Sequence, residues 1–128
     1  METHETILLV EDTPELLETL RQLLEANGYP VLCASDGRQA LAQMRSAKDP
    51  IGILITDLIM PEMDGVDVAA WAVRLCPAIK VLFISGVGQQ LNKPLPEGSR
   101  LLQKPFSGKE LLQVVSELRG PAVRADAP

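Results

Sequence analysis

The chain has 128 residues, of which 46% are hydrophobic, and a formal net charge of −5 at pH 7. This length suits one domain with a single hydrophobic core. A negative net charge without a cluster of Lys and Arg argues against a nucleic acid as the main partner. The apolar runs are far shorter than a membrane span, and the first residues lack a signal-peptide pattern, so we expect a cytoplasmic chain without membrane insertion.

Strand and helix patterns alternate along the sequence, with short breaks between them. Thr13 is the predicted N-cap of a helix that begins with Pro14 and that Gly28 ends. Ser107 and Glu110 form a capping-box pattern at the start of the last helix. The predicted elements are a strand at 7–10, a helix at 14–27, a strand at 30–34, a helix from 36, a strand at 53–57, a helix at 64–76, strands at 79–84 and 101–103, and a helix from 107. This alternation predicts a parallel sheet with helices on both faces.

Some interior positions follow from helical spacing and residue type. Trp71 and Leu75 are predicted to face inward from the third helix, together with Val68 and Ala72. The two cysteines, at positions 33 and 76, have no metal-binding spacing and are interpreted as buried small hydrophobes.

Polar residues stand where four of the strands end. Glu11 and Asp12 follow the first strand, Asp57 ends the third, Ser85 follows the fourth and Lys104 follows the fifth. In open α/β sheets, ligands bind at the carboxyl ends of the strands. Three carboxylates at neighbouring strand ends indicate a site for a hard divalent cation. Together with a hydroxyl and a Lys, they indicate phosphoryl chemistry.

Four ordered motifs surround these residues: Leu9-Val10-Glu11-Asp12, Asp57 with Met60-Pro61-Glu62-Met63-Asp64-Gly65, Ile84-Ser85-Gly86, and Lys104-Pro105-Phe106. Together they resemble the receiver domain of bacterial two-component response regulators. The resemblance covers about residues 5 to 119, and the motifs are most similar to receivers attached to hybrid sensor histidine kinases. The resemblance implies a doubly wound, flavodoxin-like fold with a five-stranded parallel sheet in the order 2-1-3-4-5. We expect a receiver domain at 1–120 and a disordered tail or linker at 121–128.

The resemblance also implies a function in phosphorelay signal transduction. Asp57 would accept a phosphoryl group from a histidine kinase or a histidine phosphotransfer protein. The implied activity is limited to this self-catalysed transfer and to the later self-catalysed dephosphorylation, so the resemblance does not imply an enzyme. The implied roles are Mg²⁺ binding by Glu11, Asp12, Asp57 and the backbone carbonyl of Ile59, and phosphoryl contacts by Lys104, next to a cis Pro105, and by Ser85.

Each of these residues also has a simpler explanation. Glu11 and Asp12 could merely favour the N-terminus of the first helix, Asp57 could be a loop carboxylate, and Lys104 could be a solvated charge on an edge strand. Two other functions stay open. A small Mg²⁺-dependent hydrolase with an Asp nucleophile would want a second carboxylate where this chain has Ile59. A receiver-like interaction module that is never phosphorylated would typically lack part of the charged set.

Three features depart from the family pattern. Ile59 and Val87 are apolar where many members carry polar side chains, which favours a long-lived phosphoryl group. Leu101 stands where the family usually has Tyr or Phe. Glycines and prolines leave only about 89–93 for the family's fourth helix, which is therefore expected to be short or degenerate. We accordingly expect a monomer without an activation dimer on that face, and partner docking at the first helix and the loops around Asp57.

Overall fold

The computed structural model describes residues 5–86 and 93–119. Within those ranges the chain forms five strands and four helices in the order that the sequence predicts, and the described residues between the last two strands hold no helix. They are β1 (Thr6–Val10), α1 (Pro14–Ala26), β2 (Val31–Ala34), α2 (Gly37–Ser46), β3 (Ile51–Asp57), α3 (Gly65–Leu75), β4 (Lys80–Ser85), β5 (Arg100–Gln103) and α4 (Gly108–Arg119).

The strands form one parallel sheet in the order β2-β1-β3-β4-β5, which confirms the predicted fold. Their registers align the carboxyl ends: Val10 lies beside Thr56, Asp57 beside Ile84, and Ser85 beside Gln103. Side chains that end neighbouring strands therefore meet at one edge of the sheet.

Two hydrophobic layers hold the helices against this sheet. Alternate residues of β1 divide between them: Leu8 and Val10 pack with residues of α2 and α3, whereas Ile7 and Leu9 pack with residues of α1 and α4. β3 is buried along its whole length, because both of its faces are covered. This burial explains why the strand is nearly uncharged. Its one carboxylate, that of Asp57, lies at the last position, where the strand leaves the core.

Side-chain caps define the starts of three helices. Asp36 and Asp64 accept hydrogen bonds from backbone amides at the starts of α2 and α3. Ser107 and Glu110 exchange the two hydrogen bonds of the predicted capping box at α4, at 2.9 and 3.0 Å. At α1, Pro14 does occupy the first turn and Thr13 the N-cap position, but the Thr13 side chain makes no capping hydrogen bond.

Four predicted interior side chains are more exposed than expected. Leu75 is 42% exposed, because the part of α3 that packs on the core ends at Ala72. Trp71 is only partly buried and carries the Arg74 guanidinium over its ring, 5.1 Å from the centroid. Both cysteines are likewise only partly buried. The prediction that Leu75 faces inward was therefore wrong, and Trp71 and the two cysteines are less buried than predicted.

Several sequence predictions lie outside the described residues. They concern Val87, the tail at 121–128 and the family's fourth helix at 89–93, of which only Lys93 is described. From Lys93 to the start of β5 the described residues hold no helix. Among the helices of the described ranges, none combines the length and the apolar character needed to cross a membrane.

Candidate functional site

The sheet brings four of the predicted polar positions to one edge. Glu11 directly follows β1, Asp57 ends β3, Ser85 ends β4 and Lys104 directly follows β5. Backbone hydrogen bonds continue past the strands and fix the exits: Glu11 N–H to Ala34 O at 3.0 Å, Leu58 N–H to Ile84 O at 2.8 Å, and Lys104 N–H to Ser85 O at 2.8 Å. The site is thus held by ordered backbone on neighbouring strands.

Three carboxylates form a cluster at the centre of this edge. Glu11 and Asp57 are 1% and 5% exposed, whereas Asp12 is exposed, and one oxygen of each lies within 4.8 Å of the others. Opposite ligands of an octahedral Mg²⁺ ion are about 4.2 Å apart, since each lies about 2.1 Å from the metal. Small side-chain rotations would therefore let all three carboxylates share one Mg²⁺ ion, with an exposed side for water.

Glu11 has one oxygen engaged and one left open. Its Oε2 accepts a hydrogen bond from the Thr13 backbone N–H at 3.0 Å, which orients the carboxylate. Its Oε1 is buried and makes no hydrogen bond with any described residue. Lys104 Nζ lies 3.8 Å from it, too far for a hydrogen bond. A buried polar atom without a hydrogen bond is costly, and a cation bound at this point would offset that cost. The donor set therefore fits the divalent cation that the sequence predicts.

Burial raises the pKa of Asp57 to about 8, with the nearby Glu11 and Asp12 adding to the increase and Lys104 opposing it. The physical cause is that an ionised carboxylate here loses hydration and faces two other acids. The Lys104 ammonium lies 3.8 Å from Asp57 Oδ1 and 3.8 Å from Glu11 Oε1. One Lys only partly balances three carboxylates, so the site favours the binding of further positive charge.

The loop after Asp57 folds back tightly on its own start. Gly65 N–H donates to Leu58 O at 2.8 Å, and a Cβ placed on Gly65 would lie only 2.2 Å from Asp57 O. Glu62 has a φ of 70°, in the left-handed region, which helps the chain turn. Because only a glycine permits this approach, the start of α3 is pressed against the backbone of Asp57.

The remaining predicted positions lie around the cluster. Ser85 is buried at the end of β4, 4% exposed, and the bond from Lys104 to Pro105 is cis, as the resemblance implied. The Ile59 side chain is 37% exposed. The metal contact of its backbone carbonyl stays a prediction. The Thr13 amide contact to Glu11 was missed, because the sequence drew attention to the Thr13 hydroxyl as a helix cap.

Residues 7–116 match the family described as the response regulator receiver domain. The chain therefore belongs to this family, whose members are signalling domains of two-component systems rather than enzymes of the usual kind. It is 32% identical over 115 residues to the response regulator receiver protein CpdR of Brucella abortus, covering 88% of this chain and 94% of CpdR. It is also 34% identical over 116 residues to the sensor kinase CckA of the same organism, covering 88% of this chain but only 12% of CckA.

Solved structures give the same result. The receiver domain of the hybrid histidine kinase CckA has a TM-score of 0.77 and 33% identity, covering 88% of this chain and 97% of that one. A receiver domain protein from Clostridium thermocellum has a TM-score of 0.78 and 28% identity, covering 90% and 94%. A hybrid-kinase receiver is thus among the similar proteins by sequence and by structure, in agreement with the sequence motifs.

Proposed function

We propose that Asp57 accepts a phosphoryl group from the phosphohistidine of a histidine kinase or a histidine phosphotransfer protein, in a reaction that needs Mg²⁺. The supporting observation is a buried Asp57 carboxylate flanked by Glu11 and Asp12, with Lys104 Nζ 3.8 Å away. In this proposal these groups serve as the nucleophile, the cation-binding cluster and a positive charge at one edge of the sheet. In this proposal the protein is a cytoplasmic monomer that acts as a signalling domain.

Glu11, Asp12, Asp57 and the Ile59 carbonyl would hold the Mg²⁺ ion, which supplies positive charge where negative charge develops during transfer. Asp57 provides the attacking oxygen. Its bond to phosphorus forms as the bond between phosphorus and the donor imidazole nitrogen breaks, and that nitrogen keeps the electron pair. Such transfers depend on positioning and charge stabilisation more than on covalent help from the protein.

The chain's own polar groups have distinct parts in this scheme. Lys104, whose backbone N–H donates to Ser85 O, can pair its ammonium group with a phosphoryl oxygen. The Ser85 hydroxyl can donate to another phosphoryl oxygen once Asp57 is modified. Burial of Asp57 and Ser85 limits the access of water, which protects the acyl phosphate from hydrolysis.

A donor helix would approach from the exposed side of the cluster. Asp12, Thr13 and Ile59 are exposed there, between the start of α1 and the loop that follows β3. This supports the docking surface predicted from the sequence, namely the first helix and the loops around Asp57.

The alternatives are less well supported. An Asp-nucleophile hydrolase would need an acid or base near Asp57, and the residue two positions on, Ile59, offers only an exposed apolar side chain. A module that is never phosphorylated would have no need for the full set of Glu11, Asp12, Asp57 and Lys104 that the sheet brings together.

Labelling with acetyl phosphate tests the proposal. Incubation with this small phosphodonor and Mg²⁺ should add one phosphoryl group to the intact protein by mass spectrometry, and hydroxylamine should remove it, as expected for an acyl phosphate. Excess EDTA should prevent the labelling. An absence of labelling at saturating donor, or labelling that EDTA does not affect, would contradict the proposed function.

The exposed side chain of Ile59 should influence the lifetime of the phosphoryl group. We expect Ile59→Asn to speed dephosphorylation by about two- to tenfold, because a polar group beside the acyl phosphate can orient an attacking water. The decay of the labelled protein after donor removal measures this rate. Ile59→Leu is the matched control and should keep the wild-type rate, whereas equal or slower decay of Ile59→Asn would disprove the expectation.

A further inference from the structure

An ion pair joins two connections of the chain near the candidate site. Lys93, in the connection between β4 and β5, donates to Asp64 Oδ2 at 2.9 Å and to Asp67 Oδ1 at 3.1 Å. Asp64 ends the loop that starts at Asp57, and Asp67 lies in the first turn of α3. The contact spans 29 residues of sequence and links the chain that leaves Ser85 to the loop that leaves Asp57.

The carboxylate that Lys93 binds also sets the start of α3. Asp64 Oδ1 accepts the Asp67 N–H at 2.9 Å, while Oδ2 accepts Lys93. The next residue, Gly65, is the one packed against Asp57 O. An ion pair that holds Asp64 therefore also restrains the adjacent Gly65, which contacts the backbone of Asp57.

Helix stability does not explain a cation in this place. Acidic groups favour the N-terminus of a helix, because the helix dipole is positive there, and a cation is disfavoured. Asp64 and Asp67 already provide the favourable charge at the start of α3, and Lys93 opposes it. What Lys93 adds is a cross-link between two otherwise separate connections.

We propose that Lys93 is a positioning residue for phosphoryl transfer: its ion pair with Asp64 and Asp67 fixes the end of the loop that follows Asp57, where Gly65 packs against the Asp57 backbone. The inference rests on the proposed function and adds a residue outside the charged cluster. Removal of the ammonium leaves the cluster intact but loosens the loop that orients the nucleophile. The reaction slows, because transfer depends on the alignment of Asp57 with the donor.

The test compares labelling rates by acetyl phosphate in the full chain with saturating Mg²⁺. Because the pair is partly exposed, Lys93→Met should slow labelling by about two- to fivefold at low salt. The ratio of the wild-type to the variant rate should approach one at about 1 M NaCl, where the pair is screened. Lys93→Arg should restore most of the wild-type rate. Lys48→Met, which removes an exposed charge just before β3, at the opposite end of that strand from Asp57, should have no effect.

A double-mutant comparison separates positioning from direct attraction of the anionic donor. In a background of Asp64→Asn and Asp67→Asn, Lys93→Met should cause no further loss if Lys93 acts through these carboxylates. The same loss in both backgrounds, or equal rates for Lys93→Met and Lys48→Met, would overturn the inference and leave the proposed function standing. Failure of the wild type itself to be labelled would instead overturn the proposed function, and this inference with it.

Discussion

Asp57→Asn is expected to abolish phosphoryl labelling and, in metal-free buffer at neutral pH, to make the protein more stable than the wild type. The loss of labelling follows because the amide cannot serve as the nucleophile. The gain in stability follows because a carboxylate at 5% exposure beside Glu11 and Asp12 is replaced by a neutral group of the same shape. The expected gain is about 1–4 kcal/mol in the free energy of unfolding.

The stability difference should depend on pH with a definite sign. The pKa of Asp57 is about 8 in the folded protein and near its ordinary value of 3.8 in the unfolded chain. Between these values the folded state binds more protons, so the stability of the wild type falls as pH rises. The variant Asp57→Asn should therefore be no more stable than the wild type below about pH 4. The difference in their free energies of unfolding should increase between about pH 4 and pH 8 and stay constant above about pH 8.

Urea unfolding of both proteins across this pH range, with EDTA present, measures the difference. Mg²⁺ should then stabilise the wild type more than the variant, because the variant has lost one ligand charge. Ser85→Ala is a suitable comparison, since it alters the same buried edge without changing a charge. A variant that is less stable than the wild type at neutral pH, or an advantage that shrinks as pH rises, would show that Asp57 is not electrostatically strained.

The alternation of strands and helices and the charged edge could be predicted because the information is local and repeated, whereas the strand order was implied by the family resemblance. Four of the five apolar runs end on a polar residue of the right type, as at Asp57 and Lys104, and parallel pairing brings those ends to one edge of the sheet. The capping box at Ser107 and the start of α1 at Pro14 also depend on only a few consecutive residues. Such patterns need no knowledge of distant contacts.

The features that were missed depend on three-dimensional packing. Nothing in the sequence around Lys93 shows that it binds Asp64, 29 residues away. Helical spacing placed Leu75 on the inner face of α3, but it cannot show where the sheet stops covering the helix. The hydrogen bond from the Thr13 amide to Glu11 depends on how the chain turns between β1 and α1. In each case the outcome depends on a three-dimensional contact that the local sequence pattern does not specify.

Gly65→Ala should disrupt both the fold and the site. The new Cβ would lie 2.2 Å from Asp57 O, a backbone atom, so that either the β3 end or the start of α3 must move. We expect a loss of about 1–3 kcal/mol in the free energy of unfolding, although Ala is otherwise the better helix former. Displacement of Asp57 should also slow labelling by acetyl phosphate about tenfold or more.

Gly52→Ala, at the opposite end of the same strand, provides a matched control. Its Cβ would lie 2.1 Å from Glu5 Oε2 and 2.6 Å from Glu5 Cβ, so Glu5 must shift, but Glu5 is an exposed residue that precedes β1 and lies away from the site. The loss of stability should therefore be smaller than for Gly65→Ala, and labelling should stay at the wild-type rate. Equal losses for the two variants would mean that the overlap alone matters. A larger loss for Gly65→Ala, with slower labelling, would show that close packing of α3 against the Asp57 backbone holds the phosphoacceptor in place.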